Sequence, residues 1–153
     1  MTAETLYTLI NIGVVPAWAM LVFAPRWSAT RRIVHSGLYP LVYGGLYIVF
    51  LANALLFSAN SPDAGFSTLA GVMALFDQPN GVLTGWTHYL VFDLFIGAWI
   101  GRDALRRGVP HALVAPSLFF CFIFGPVGLL LYLVLRLVSG KGGLALDEQD
   151  RQG

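Results

Sequence analysis

Charge is scarce in this chain: nine Lys or Arg and eight Asp or Glu make up only 11% of its 153 residues, where a soluble domain carries about 25%. A surface so poor in charge cannot stay in solution, which excludes an ordinary water-soluble globular domain. The formal net charge of +1 offers no electrostatic footprint for nucleic acid, so no nucleic-acid partner is expected. Cysteine is nearly absent. The one thiol, Cys121, can close no internal disulfide and supplies no thiolate metal cage. The first apolar stretch also lacks a preceding Lys or Arg, and Glu4 stands where a cleavable signal would be positive, so that stretch reads as a retained helix. Glycine is plentiful at 17, but without a Gly-X-Y period or a polar low-complexity run, which excludes collagen and disorder.

What is present is apolar: 57% of residues are hydrophobic and the mean hydropathy is +0.72. Four stretches, 5–24, 38–57, 82–101 and 112–135, are long and apolar enough for a bilayer crossing, which needs about 20 residues. The expected fold is all-α: a polytopic membrane protein with a four-transmembrane-helix bundle. Pro16 and Gly125-Pro126 interrupt two of the spans, as membrane helices tolerate when neighbours re-satisfy the released carbonyls. Residues 1–138 read as a single transmembrane domain and 139–153 as a flexible soluble tail. Between the second and third spans the chain begins polar (Ser58, Asn60, Ser61, Pro62, Asp63). Residues 66–76 then turn apolar but are too few to span. They suit a short interfacial or re-entrant helix, with a fifth span left open.

Arg26, Arg31 and Arg32 precede the second span, and Arg102, Arg106 and Arg107 follow the third. Basic residues mark cytoplasmic loops. The expected location is therefore the cytoplasmic (inner) membrane, with the odd loops inside and both termini outside. At about 1.5 Å per helical residue, Asn11, Asn53, His88 and Tyr132 then fall about 4–9 Å below the outer boundary. They form a candidate polar, substrate-binding lining, with Trp86 a flat floor for an apolar ligand. Asp93 falls near the midplane, level with Gly125-Pro126.

An ionisable side chain at mid-bilayer costs about 2.5–3.5 kcal/mol on insertion scales, so it ordinarily faces a partner or a cavity. Asp93 is thus a candidate acid/base group, or else a hydrogen-bonding brace to Asn11, Asn53 or backbone near Pro126. His88 is its natural companion, although five residues at about 100° each place the two about 140° apart on the helix. They could flank one substrate from different heights, but direct pairing is not expected. His88 could equally bond an Asn or a carbonyl between helices. It has no second histidine at its depth, since His35 and His111 fall on the cytoplasmic side. No metal and no haem are expected. Arg102, Asp103, Arg106, Arg107 and His111 read as structural: arginines at a helix end suit the dipole and the interface, and Asp103 is expected to pair with an arginine of the first loop. Gly81-x-x-x-Gly85 and Gly97-x-x-x-Gly101 permit close helix approach, internally or in a homo-oligomer.

The run 67–76 (Ser-Thr-Leu-Ala-Gly-Val-Met-Ala-Leu-Phe), then Gly85-Trp-Thr-His with Asp93-Leu-Phe95, Arg102-Asp103, His111, Pro116 and Gly125-Pro-Val-Gly-Leu129, resembles the abscisic acid-deficient-four-like membrane family. The likeness runs in order from Leu6 to Arg136, and its Gly101-Arg-Asp103 segment looks like the bacterial form. With no plastid transit peptide ahead of the first span, the chain reads as prokaryotic. Plant members of the family are associated with making neoxanthin from violaxanthin, an isomerisation that opens an epoxide and leaves an allene. The resemblance implies a membrane-dissolved carotenoid-type ligand, membrane lipid as surroundings and no redox cofactor. Such a step needs one group to protonate the epoxide oxygen and another to take a proton from the polyene end. His88 and Asp93 are the matching positions. The alternative is a non-enzymatic lipid- or pigment-binding subunit or scaffold, with Asp93 as interhelical glue and Gly125 and Pro126 as structural breaks.

Overall fold

The computed structural model describes residues 1–57 and 64–146. The polar residues 58–63 and the acidic end of the tail, 147–153, lie outside them. Among the described residues the chain is all helix, with no strand. The elements are α1 (Ala3–Phe23), α2 (Ser28–Ile33), α3 (Leu38–Phe57), α4 (Leu69–Phe76), α5 (Pro79–Arg107), α6 (His111–Phe124) and α7 (Pro126–Val138).

Local chemistry sets the ends of these helices. Thr2 caps α1 by accepting the Thr5 amide at 3.2 Å, and Thr68 caps α4 by accepting the Gly71 amide at 3.0 Å. Pro79 opens α5, where its missing N–H costs nothing. Gly108 ends α5 with φ of 66°. There the Val109 amide reaches back to the Ala104 carbonyl at 2.9 Å, the closure a left-handed glycine permits.

α1 and α3 are long and apolar enough to cross a membrane. Only 28% of the most apolar stretch of α1 and 17% of that of α3 is buried, so these helices turn their hydrophobic side chains outward, unlike the core helices of a soluble protein. Leu41, Ile48 and Leu56 on α3 and Ile12 on α1 are examples. α4, with 8 residues, is about 12 Å long and cannot span.

The chain divides into two compact units. Met1–Val15 and Gly37–Phe92 make the first; Pro16–Ser36 and the chain from Asp93 onward make the second. α1 and α5 each contribute to both. In the first unit, Ile10, Val14, Phe50, Leu83 and Leu90 are buried. Tyr43 on α3 donates its buried hydroxyl to the Ile10 carbonyl at 2.7 Å, and Tyr39 donates to the Gly13 carbonyl at 3.2 Å. Gly81 lies against the Leu75 carbonyl and Gly85 against the Phe76 ring, so α4 rests directly on α5. In the second unit, Gly97 lies flush under the Trp18 indole and Gly101 faces Leu21 and His35. Both Gly-x-x-x-Gly faces are therefore occupied inside the chain, by the close approach that small residues allow.

The stretch 112–135, expected as one span, is instead two helices. α6 has 14 residues and α7 has 13, each about 20 Å long against a hydrocarbon core of about 30 Å. They pack along one another as a hairpin. The single residue between them is Gly125, at φ 43° and ψ −88°. Gly128 then sits against the backbone of Ser117 and Cys121, where any side chain would collide. The hairpin brings Tyr132 and Arg136 back to Asp103 on α5. The expectation that they lie at the opposite membrane boundary from Asp103 is overturned, because the chain reverses at Gly125 rather than continuing.

Candidate functional site

The first unit holds an apolar cavity of about 260 Å³. α3 supplies Tyr47, Leu51 and Leu55, α4 supplies Leu75 and Phe76, and α5 supplies Thr84 and His88, with Phe66 ahead of α4. His88 supplies its one imidazole. The ring stands 4.6 Å from Phe92 and 5.9 Å from Tyr47 between centroids, and makes no hydrogen bond to another described residue. Thr84 spends its hydroxyl proton on the Asn80 carbonyl at 2.7 Å, which leaves its oxygen as an acceptor. An apolar chamber with a few convergent polar groups is the usual form of a small-molecule site.

Of the other residues expected to line one site, Asn11 and Trp86 meet: the indole Nε1 donates to Asn11 Oδ1 at 3.0 Å. Asn11 in turn donates to the Tyr7 carbonyl at 2.7 Å. Asn53 turns back on its own helix, donating to the Val49 carbonyl at 2.8 Å, and is not part of the cavity wall. Tyr132 belongs to the second unit, as does Asp93, whereas His88 belongs to the first. Asp93 is 7% exposed. Its carboxyl lies against Gly125, at the N-terminus of α7, and its carbonyl accepts from Cys121 Sγ at 3.6 Å. A carboxylate suits that position, where the first amides of a helix carry partial positive charge.

Asp103 anchors the second unit. It is 1% exposed. Its carboxylate accepts from Tyr132 Oη at 2.6 Å, Arg107 Nε at 2.8 Å and Arg106 Nη2 at 2.8 Å, with Arg136 Nη1 at 3.3 Å. Burial pushes this carboxyl up, but the hydrogen bonds from Tyr132 and Arg107 and the charges of Arg107 and Arg136 outweigh it, and the net shift is down. The expected arginine from the first loop is not among these partners; the pairing comes from its own helix and from α7. Arg107 and Arg136 also hold the Lys141 and Ala145 carbonyls, at 3.3 and 2.9 Å, so the first residues of the tail fold back over the cluster.

His111 Nε2 meets the Val22 carbonyl at 2.7 Å and therefore carries its proton there. Arg102 approaches His35 Nδ1 at 3.4 Å; since a guanidinium only donates, that nitrogen accepts. Burial, and then the Arg102 charge, lower the His35 pKa from 6.5. Among the described residues, no three of His, Cys, Asp and Glu come together as a metal site.

Sequence reasoning missed Tyr47, Thr84 and the contribution of α4. A signal for Tyr47 was present: Tyr39, Tyr43 and Tyr47 recur every fourth residue and share one face of α3.

The family model for ABA DEFICIENT 4-like proteins matches residues 5–132. The chain belongs to that family. Among curated proteins, this ABA DEFICIENT 4-like chain is 24% identical over 145 residues to "Protein ABA DEFICIENT 4, chloroplastic" of Arabidopsis thaliana, an alignment covering 89% of this chain and 62% of that protein. The ABA DEFICIENT 4-like chain thus spans less than two thirds of that relative's length. No solved structure matches it. The family match ends at Tyr132, so it takes in His88, Asp93, Asp103 and the hairpin turn but stops short of Arg136.

Proposed function

We propose that this chain is a membrane-embedded protein that receives one ring end of a carotenoid-type isoprenoid in the cavity beside His88 and isomerises it by proton transfer. The observation that carries this reading is the cavity itself: apolar walls, one imidazole and two hydroxyl-bearing side chains, Tyr47 and Thr84. Membership in a family with a carotenoid-associated plant branch supports the substrate class. A volume of about 260 Å³ falls below the roughly 300–1,000 Å³ of sites that enclose a drug-sized ligand. It suits an end group, with the polyene lying outside.

The reaction is an internal rearrangement. One proton is delivered to the epoxide oxygen as its C–O bond breaks, and one leaves carbon as the allene forms, so no oxidant or reductant is consumed. The two proton roles need not fall to two groups, because an imidazole that gives the first proton can then take the second. We assign that role to His88. Asp93, expected to flank the same substrate, is better supported as a brace for the hairpin, given its place against Gly125.

All nine Lys and Arg fall in the residues of the second unit and none in the first. By the positive-inside rule, the Arg-bearing helix ends would face the cytoplasm at the inner membrane. The N-terminus would then lie outside. The C-terminal segment would lie inside, since Arg136 returns to Asp103.

The test is expression in hosts that accumulate epoxidised and hydroxylated carotenoids, with extracted pigments compared by mass and absorption. The expected product has unchanged mass and a shifted spectrum. His88→Ala should abolish conversion while the protein stays membrane-inserted; conversion at the full rate in that variant would overturn the assignment. Stoichiometric pigment recovered unaltered with the protein would instead favour the binding-subunit reading.

A further inference from the structure

A second cavity in the first unit, about 460 Å³, lies beside the start of α1 and is lined by Glu4, Tyr7, Pro79, Val82, Leu83 and Trp86, together with Ala3. It shares no lining residue with the His88 chamber. From this geometry we infer a binding site for an organic ammonium group, formed by the Glu4 carboxylate and the faces of Tyr7 and Trp86.

Three observations carry it. The first is the aromatic pair. Tyr7 and Trp86 stand 5.6 Å apart between centroids at 40°, and Tyr89 backs the indole at 5.2 Å. A cation within about 6 Å of such rings is attracted by their negative faces, most strongly by Trp.

The second is how the indole is held. Its N–H is already spent on Asn11 Oδ1 at 3.0 Å, and Asn11 is itself tied to the Tyr7 carbonyl at 2.7 Å. The ring therefore has no donor left for the cavity, and its position is set before any ligand arrives. Interfacial aromatics are common in membrane proteins. That preference accounts for the presence of the rings, but not for the Asn11 bond that holds the indole in place.

The third is charge. Among the described residues of the first unit, Glu4 and Asp77 are acidic and none is Lys or Arg. Asp77 caps the end of α4, two residues before the cavity-lining Pro79. A lining whose one charged side chain is the Glu4 carboxylate favours a cation over phosphate or carboxylate ligands. An ammonium bearing alkyl groups satisfies both the rings and the apolar wall of Val82 and Leu83. This chemistry is found in the amine headgroups of lipids and in soluble amines such as choline.

The experiment uses the full chain in nanodiscs of phosphatidylglycerol alone, with binding of choline followed by saturation-transfer NMR on its methyl protons. Its neutral isostere, 3,3-dimethyl-1-butanol, serves as the control. Choline should bind at least about 10-fold more tightly than the isostere. Glu4→Gln and Trp86→Leu should each weaken choline binding by about 2- to 30-fold, the range expected for losing a cation–aromatic or charge contact. Nanodiscs containing phosphatidylcholine should compete with soluble choline if the source is a lipid headgroup and leave it unaffected if the source is a soluble amine. Equal binding of the isostere, no binding of choline, or unchanged affinity in Glu4→Gln would overturn the proposal. Glu4 is exposed on the first turn of α1, so that variant decides the matter even if Trp86→Leu fails to fold. His88→Ala should leave choline affinity unchanged, which separates this site from the proposed isomerase cavity.

Discussion

Tyr132 on α7 donates its hydroxyl to Asp103 on α5 at 2.6 Å, and both side chains are almost wholly buried. That bond, with Arg136 one helical turn further along α7, ties the end of the hairpin to the end of α5. A buried carboxylate ringed by arginines is stable only as a complete set, because removing one member leaves uncompensated charge behind.

Asp103→Ala should therefore destabilise the protein by about 3–5 kcal/mol, since it leaves Arg107 and Arg136 buried without their acid. Tyr132→Phe should cost about 1.5–3 kcal/mol, the worth of a hydrogen bond to a charged group. Unfolding in detergent micelles, run as a double-mutant cycle, measures both. Purely additive losses would show that Tyr132 and Asp103 do not act together.

Stability should fall as the medium is acidified, in two separate windows. The folded state holds His35 below 6.5, so its stabilising contribution is complete above pH 6.5 and declines as pH falls below it, because the unfolded chain then binds the proton more readily. The Asp103 carboxyl is held below 3.8, so its contribution is present above that pH and disappears only as pH drops through the lower folded value. Melting temperatures from pH 8 down to about pH 2 test this. His35→Gln should flatten the upper window alone, and Asp103→Asn the lower.

Gly128→Ala should prevent the hairpin from closing. The added methyl would meet the backbone of Ser117 and Cys121, which cannot rotate aside as a side chain could. Overpacking of this kind costs about 1–3 kcal/mol, and more where the backbone must move. Gly125→Ala adds strain at positive φ and presses on the Asp93 carboxyl. Both variants should show lower melting temperatures and faster proteolysis between α6 and α7. Wild-type behaviour in Gly128→Ala would refute the close packing.

Reporter fusions check the proposed orientation. A periplasm-active reporter at the N-terminus and a cytoplasm-active one after residue 146 should both be functional. A periplasm-active reporter that works at both ends would restore the arrangement with both termini outside.

Several features were legible because they depend on residue type and local spacing. The apolar length of 5–24 and 38–57 is enough to specify α1 and α3, both long and apolar enough to cross a membrane. The level of Asp93 could be counted along its helix, and its carboxyl does lie against Gly125. Partner choice was less legible. Asp103 was expected to reach the first loop, but its acceptors are filled from its own helix and from α7, and no local count could place α7 there.

The course of residues 112–135 shows where sequence and tertiary structure divide. Sequence alone determined that this segment is helical, apolar and broken at Gly125-Pro126. Only the tertiary structure decided that the break is a reversal. Hydropathy is the same whether a helix continues or folds back, whereas direction depends on whether two backbones can touch. They can here because Gly128 brings no side chain between α7 and the backbone of Ser117 and Cys121. Once they do, Tyr132 and Arg136 return to Asp103 instead of lying a membrane's width away.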